Sequence, residues 1–251
     1  MAVVEIKGVK IGEGMPKICI PLVGETNQAL IEQAMNASQC HCDLVELRID
    51  HYDGIQNIDS IIDIIHKIRE CISAPIMFTF RTLEEGGKAR ISNEDYINLY
   101  QNVIEDGEVD LVDLQLNLGE ELLQPLMERA KQKGIKVVLS NHEFEKTPDT
   151  KEMIKRLLRM QVLGADIPKI AVMPETKQDV LRLMEAVLYV NENSNSTPVV
   201  GISMGEMGMP SRVLGCWFGS AITFGVVDRS SAPGQLSIKC LRELFQILET
   251  R

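Results

Sequence analysis

Lys169 is the residue whose type and position in the sequence most directly suggest chemistry. It interrupts the otherwise apolar run 167–173, which is typical of a buried strand. Burying an ammonium group is costly, so a lysine in such a strand tends to give up its proton. The resulting amine attacks carbonyl groups and forms imines. The structural alternative is a buried ion pair of Lys169 with Asp113 or Glu46.

A second apolar run, 136–142, ends on His142. Histidine is the side chain best suited to move protons near neutral pH, so His142 is a candidate general base. The structural alternative is a strand-end histidine that bonds to the backbone. If the fold brings Lys169 and His142 together, the pair predicts proton abstraction next to an imine.

Further polar residues stand near the ends of other apolar runs. They are Glu46, Arg48, Arg81, Glu85, Asp113 and Arg212. The planar fork of arginine binds a carboxylate through two parallel hydrogen bonds, so several arginines in an acidic protein favour a small carboxylate or phosphate ligand. Ion pairs of Glu46 with Arg48, or of Glu85 with Arg81, are the structural alternatives.

The elements that must position these residues alternate between short apolar strands and longer amphipathic helices. Strands are predicted at 17–23, 43–50, 75–81, 109–116, 136–142, 168–173, 198–203 and 221–227. Helices are predicted at 26–40, 59–71, 93–105, 120–133, 150–163, 176–191, 211–218 and 237–248. Alternating units with continuous apolar strands are typical of a parallel sheet covered by helices.

Eight such units in 251 residues predict an α/β protein with a (β/α)8 TIM barrel, formed as a single domain over 1–251 and preceded by a short N-terminal hairpin. Active sites of such barrels lie at the carboxyl ends of the strands. Period-two alternation places Glu46 with Arg48, and Ser140 with His142, on one face of their strands. Lys169 lies early in its strand, so its side chain must extend along the barrel axis to reach the mouth.

Composition excludes several classes of function. The formal net charge is −10 and no Lys/Arg-rich run is present, which argues against nucleic acid or an anionic membrane as partner. No apolar run is long enough for a membrane span, and the first residues lack a signal-peptide layout, so a cytoplasmic location is predicted. The six cysteines suggest neither a disulfide framework nor a metal site, and are expected to be reduced and mostly buried.

Several motifs, in order along nearly the whole chain, resemble the type I 3-dehydroquinate dehydratases of the shikimate pathway. They are ELRIDH at 46–51, FTFR at 78–81, EGG at 85–87, SNH at 140–142, the run 165–174, SMG at 203–205, SR at 211–212 and SAPGQ at 231–235. The resemblance implies a (β/α)8 barrel, usually a homodimer, that acts on a small-molecule substrate without metal or cofactor.

The resemblance also implies roles for individual residues. Lys169 matches the lysine that condenses with the C3 ketone of 3-dehydroquinate, and His142 matches the histidine that removes a C2 proton and then helps the C1 hydroxyl leave. Glu85 matches the carboxylate that orients this histidine, and Arg212 matches the arginine that holds the substrate carboxylate. Positions that contact the ring hydroxyls and carboxylate, or close over them, are matched by Glu46, Arg48, Arg81, Ser231 and Gln235.

Two positions depart from the family pattern. Gln115 stands where many members carry glutamate, which changes the charge expected near the amine, and Pro21 stands where some carry serine. Two other functions remain as alternatives: a class I aldolase, which shares the barrel and the imine lysine, and a barrel that binds a carboxylate without turning it over.

Overall fold

The structure is a computed structural model that describes residues 2–194, 196–227 and 234–249. A two-stranded antiparallel hairpin, β1 (Val4–Ile6) and β2 (Val9–Ile11), precedes a sheet in which every strand pairing is parallel. Over the described residues the sheet contains β3 (Lys17–Leu22), β4 (Leu44–Arg48), β5 (Ile76–Thr79), β6 (Leu111–Gln115), β7 (Lys136–Glu143), β8 (Ile167–Val172), β9 (Val200–Ser203), β10 (Ile222–Val226) and β11 (Leu236–Ser237).

The sheet closes on itself as a barrel. Strands β3 to β9 pair in chain order, and β10 pairs with β3 through Ile222 and Lys17. The ring is completed between β9 and β10, where Val199 and Ser220 form a parallel bridge and the Ala221 amide donates to the Val199 carbonyl oxygen at 2.8 Å. The predicted (β/α)8 barrel with its N-terminal hairpin is therefore confirmed.

Helices follow the strands in regular alternation. They are α1 (Asn27–Gln39), α2 (Ile58–Cys71), α3 (Asn93–Asp106), α4 (Glu120–Gln132), α5 (Thr150–Val162), α6 (Lys177–Asn193), α7 (Met209–Leu214) and α8 (Ile238–Glu249). Several of them begin where the sequence provides an N-cap, as when the Thr26 hydroxyl accepts from the Ala29 amide and the Asp149 carboxylate accepts from the Glu152 amide. These caps satisfy amide groups that have no partner inside the helix.

Two apolar cores hold the barrel together. The outer core packs outward-facing strand residues, such as Leu47 and Val112, against the helices. The inner core joins the first inward-facing residues of the strands, such as Leu44 and Leu111, to the hairpin residues Ile6 and Ile11. The hairpin therefore covers the amino-terminal end of the barrel and leaves the carboxyl-terminal end for a site.

Some boundaries differ from the sequence prediction. Short 3-10 helices at Ile49–His51, Leu83–Glu85 and Leu116–Leu118 replace the predicted ends of strands or lie in the predicted loops. The predicted helix at 211–218 begins earlier, at Met209, and tightens into a 3-10 helix at Gly215–Phe218. The two-residue strand β11 was not predicted, because so short a strand carries no periodicity.

The cysteines are free, as expected, but the expectation that most are buried is wrong. Cys19 is buried in the inner core, whereas the other five are half-buried. Among the helices within the described ranges, none combines the length and apolarity that a bilayer span requires.

Replacing Ile11 with alanine should lower the free energy of unfolding by about 2–5 kcal/mol, because a fully buried side chain is removed from the inner core. Urea denaturation followed by circular dichroism measures the loss. The neighbouring Lys10→Ala variant is the control, since Lys10 is exposed and its ion pair with Glu13 lies in solvent. Equal losses in the two variants would contradict the assignment of the hairpin to the core.

Candidate active site

Alternation along the strands places a layer of polar side chains inside the barrel, directly above the inner apolar core. On β6, Leu111 lies in the inner core and Asp113 is the next inward residue; on β8, Ile167 and Lys169 repeat this order. Glu46, Thr79 and Ser140 occupy the corresponding places on β4, β5 and β7. All five side chains are buried, so the charged groups among them must be paired with one another.

Lys169 lies at the floor of a cavity that opens at the carboxyl-terminal end of the barrel. The residue is 4% exposed, and its Nζ lies 2.9 Å from Asp113 Oδ2 and 3.4 Å from Glu46 Oε1. Nζ also lies 4.7 Å from the centre of the Phe224 ring, which covers one side of the amine. The early position of Lys169 in its strand is therefore explained, since the long side chain rises to the cavity floor.

A continuous chain of buried charges links Lys169 to His142. Asp113 Oδ1 accepts from Arg81 Nη2 at 2.8 Å, and Arg81 Nη1 lies 3.4 Å from Glu85 Oε2. Glu85 Oε2 in turn lies 2.9 Å from His142 Nδ1. The amine and the imidazole therefore belong to one electrostatic network, in which negative and positive side chains alternate.

His142 lies on β7, next to the strand that carries Lys169. Ser140 is the register partner of Lys169, so His142 stands two residues, or about 6.6 Å, further toward the cavity mouth. Burial lowers the pKa of His142 well below its usual value, and the nearby positive charges of Arg81, Lys169 and Arg48 lower the pKa further. The imidazole is consequently neutral at physiological pH and able to accept a proton.

The state of Glu85 decides which ring nitrogen of His142 is free. Burial raises the pKa of Glu85 to about 7, although the Arg81 guanidinium opposes the shift. An ionised Glu85 accepts a hydrogen bond from Nδ1–H and leaves Nε2 unprotonated. A protonated Glu85 instead donates to Nδ1, which puts the remaining proton on Nε2. Only the ionised carboxylate prepares Nε2 as a base.

The segment that carries Arg81 and Glu85 is fixed by two local features. Gln115 Oε1 accepts from the Thr82 amide at 2.8 Å, and its Nε2 donates to the Thr82 hydroxyl at 3.0 Å. Gly86 follows Glu85 in the left-handed region, with φ of +81°, and the Phe144 ring occupies the place where a Cβ would stand. The Phe144 ring also stacks on His142.

These contacts show the effect of having glutamine at position 115, where many family members carry glutamate. The glutamine was expected to change the charge near the amine, but its side chain bonds to Thr82, whereas Lys169 contacts Asp113, Glu46 and Phe224. Gln115 therefore holds the segment that begins at Arg81. The Glu46–Arg48 ion pair, raised as a structural alternative, is not seen among the described residues, since Arg48 pairs with Asp50 through bonds of 2.8 and 2.9 Å.

Arg212 differs from the other arginines of the site. It lies on α7, is 8% exposed and borders the cavity, yet no ion pair of its guanidinium occurs within the described residues. Its Nη1 reaches the Phe224 carbonyl oxygen at 3.5 Å, and its buried Nε has no hydrogen-bond acceptor in the part of the chain described. Burial lowers the pKa of Arg212. A buried guanidinium without a carboxylate partner can bind an anion that enters the cavity.

One cavity of about 470 Å³ brings the predicted site residues together. Its lining includes Lys169, His142, Glu85, Glu46, Arg48, Arg81, Arg212 and Gln235. Ser231 lies outside the described residues. The volume is in the range of pockets that enclose small organic ligands.

Sequence reasoning missed the apolar side of the cavity. Ile202, Met204 and Phe224 line it opposite the charged strands, together with Ala171 and Met173. Alternation on β10 predicts that Phe224 faces inward, but an apolar residue in an apolar strand gives no sign that it borders a ligand. Ser140 and Thr79 were assigned no role in the site, although their hydroxyls donate to Asp113 and Glu46, respectively.

Comparisons with known proteins agree in one family. The family model for type I 3-dehydroquinase matches residues 18–251. The 3-dehydroquinate dehydratase of Clostridioides difficile is 41% identical over 246 residues, covering 98% of this chain and 96% of that protein. The 3-dehydroquinate dehydratase of Clostridium novyi is 43% identical over 249 residues, covering 99% and 98%.

Solved structures give the same result. The crystal structure of the type I 3-dehydroquinate dehydratase of Clostridium difficile, with covalently modified comenic acid, superposes with a TM-score of 0.97 at 40% identity, covering 99% of this chain and 98% of that one. The 3-dehydroquinate dehydratase of Enterococcus faecalis superposes with a TM-score of 0.91 at 41% identity, covering 97% and 98%. The chain therefore belongs to the type I 3-dehydroquinase family and is a carbon–oxygen lyase.

Proposed function

We propose that this enzyme dehydrates 3-dehydroquinate to 3-dehydroshikimate through an imine on Lys169, with His142 as general base and then general acid. The observation that carries the proposal is the Lys169 amine at the floor of the cavity, one strand away from a neutral imidazole. The names of the relatives supply the substrate, and the geometry of the site supports the steps.

The first step joins the amine to the substrate ketone. Lys169 gives up one proton of its ammonium group, and the resulting amine attacks C3 and forms a C–N bond. The released proton and one proton of the amine convert the carbonyl oxygen to the water that leaves. The product is a protonated imine that keeps one N–H. Because this cation withdraws electrons from the adjacent carbon, the C2–H bond becomes acidic enough for a mild base.

His142 then moves the proton. Its Nε2 takes the C2 proton while Glu85 holds Nδ1, and the electron pair of the broken C–H bond is delocalised toward the imine nitrogen. The same pair returns to expel the C1 hydroxyl, which receives the proton from His142 and leaves as water. Hydrolysis of the remaining imine releases 3-dehydroshikimate and restores the Lys169 amine.

The other residues bind and orient the substrate. Arg212 holds the carboxylate, because its buried guanidinium has no carboxylate partner among the residues that the structure describes. The ring hydroxyls meet the polar wall formed by Glu46, Arg48 and Arg81, and Gln235 borders the same cavity. Ser231 is assigned to the substrate by the family resemblance alone. Homodimer formation stays a prediction of that resemblance, and the cytoplasmic location stays a prediction from the apolar runs and the first residues of the sequence.

Replacing Lys169 with alanine should abolish covalent trapping of the substrate by sodium borohydride, because no amine remains at the cavity floor. Intact-protein mass spectrometry with peptide mapping measures the adduct. The His142→Ala variant should still be trapped while its turnover falls by roughly two to four orders of magnitude, the usual contribution of a general base.

A Lys169→Ala protein that still gains the mass of substrate or product would refute the imine assignment. Cleavage of fructose 1,6-bisphosphate by the unaltered enzyme would favour the aldolase alternative instead. Substrate binding without turnover would favour a non-catalytic barrel.

The rate of turnover should rise with pH through a midpoint near 7, the pKa of Glu85. As the pH falls through this value, Glu85 takes up a proton and donates it to Nδ1, so the proton of His142 moves to Nε2 and the base is lost. In Glu85→Gln the amide oxygen accepts from Nδ1–H at every pH, so the acidic limb should move to lower pH. Initial rates between about pH 5 and 9 measure both profiles.

Glu84→Gln is the matched control for this pH profile. Glu84 is the neighbouring glutamate, is exposed and pairs with Arg90, so the profile of its variant should equal that of the unaltered enzyme. An acidic limb that stays in place in Glu85→Gln would assign the limb to another group.

Arg212→Met should raise KM by about 30-fold or more, the equivalent of the roughly 2 kcal/mol or more lost when one member of a buried charge pair is truncated. Methionine has a similar length, and among the described side-chain contacts of Arg212 it removes only the long hydrogen bond to the Phe224 carbonyl oxygen, so folding should be retained. Steady-state kinetics measure KM, with Arg182→Met as control because Arg182 pairs with Asp179 on the surface of α6. An unchanged KM in Arg212→Met would remove Arg212 from the carboxylate site.

A further inference from the structure

The two oxygens of Asp113 have separate partners. Oδ1 accepts from Arg81 Nη2 at 2.8 Å and from the Ser140 hydroxyl at 2.6 Å. Oδ2 accepts from Lys169 Nζ at 2.9 Å. The residue is fully buried on β6, so these donors replace the water that would otherwise solvate the carboxylate.

These partners keep the carboxylate ionised. The Arg81 and Lys169 charges and the hydrogen bonds from Ser140 and Lys169 hold the pKa of Asp113 below its usual value, although burial acts in the opposite direction. Arginine stays protonated under all ordinary conditions, so the Arg81 contact persists whatever happens at Lys169. Asp113 is therefore a fixed negative charge directly beside the nitrogen of Lys169.

Glu46 is less suited to be a fixed negative charge beside the nitrogen of Lys169. Its Oε1 lies 3.4 Å from Lys169 Nζ and already accepts a hydrogen bond from the Thr79 hydroxyl at 3.0 Å. Glu46 also borders the cavity, so a ligand contacts it, whereas Asp113 lies below the cavity lining. Of the two carboxylates, Asp113 is the one that does not border the cavity.

We propose that Asp113 is a catalytic residue that serves as the counter-ion of the imine nitrogen and keeps the imine protonated while His142 works. This inference rests on the proposed imine mechanism. The protonated imine carries the same single positive charge as the original ammonium group and keeps one N–H, which points to Asp113 Oδ2. The electron-withdrawing cation therefore persists through proton abstraction at C2, and Arg81 and Ser140 keep Asp113 from accepting the imine proton.

The test is the pH dependence of imine trapping by sodium cyanoborohydride, which reduces protonated imines selectively. In the unaltered enzyme, trapping of 3-dehydroquinate on Lys169 should be independent of pH between about 6 and 9, because the counter-ion holds the proton. In Asp113→Asn the imine should lose its proton within this range, so trapping should fall as the pH rises and recover at lower pH. Turnover should fall by about 100-fold, as when one fixed electrostatic group is removed from an active site.

The matched control is Asp166→Asn. Asp166 precedes Lys169 on the same strand segment and pairs with Lys136 at 3.1 Å, at the end of the barrel away from the cavity. Its variant should keep the pH-independent trapping. A purely structural effect of Asp113→Asn would lower trapping equally at every pH, and that result would overturn the inference.

Two further outcomes keep the inference separate from the proposed function. An unaltered enzyme that gives no Lys169 adduct at any pH would refute the imine mechanism, and with it the role of Asp113. An unaltered enzyme that is trapped at pH 6 but not at pH 9 would leave the imine mechanism intact and refute the counter-ion. This second comparison needs no variant, so it decides the question even if Asp113→Asn does not fold.

Discussion

The buried carboxylate of Asp113 is the constraint on which the site depends. Two cations, Lys169 and Arg81, are held inside the barrel where isolated charges would be prohibitively costly, and Asp113 contacts both of them. The hydrogen bond from Ser140 completes the coordination of the carboxylate. Asp113 is therefore the shared partner that fixes the positions of both the Lys169 ammonium group and the segment that begins at Arg81.

The same network of paired charges includes the residues proposed for proton transfer. Arg81 contacts both Asp113 and Glu85, so the carboxylate that orients His142 is held by the same guanidinium as the carboxylate beside the amine. Lys169 and His142 lie on adjacent strands, and the pKa of His142, already lowered by burial, is lowered further by the positive charges of Arg81 and Lys169. The apolar wall around Phe224 excludes water from one side, which strengthens each of these interactions.

Most of the fold follows from the sequence, because continuous apolar strands and amphipathic helices alternate clearly and Thr26 and other caps mark helix starts. The turns after the strands, such as Leu83–Glu85, were not predicted, since three residues carry no period. The motifs shared with the family identified residues that line the cavity. The sequence does not reveal how polar groups pair. Arg48 binds Asp50 in the turn after its own strand rather than Glu46, and Gln115 binds Thr82 of a neighbouring segment, because such choices depend on the shape of each turn and on contacts between segments distant in sequence.

The hairpin over the amino-terminal end of the barrel has a consequence for how substrate and product enter and leave the site. Ile6 and Ile11 seal that end with an apolar layer, and the cavity is bordered by residues from the opposite end. Within the described residues, the cavity is therefore closed at the amino-terminal end of the barrel and open at the carboxyl-terminal end. Substrate, product and the water released in each turnover must pass through the same opening. Bound product therefore blocks the binding of the next substrate until it dissociates.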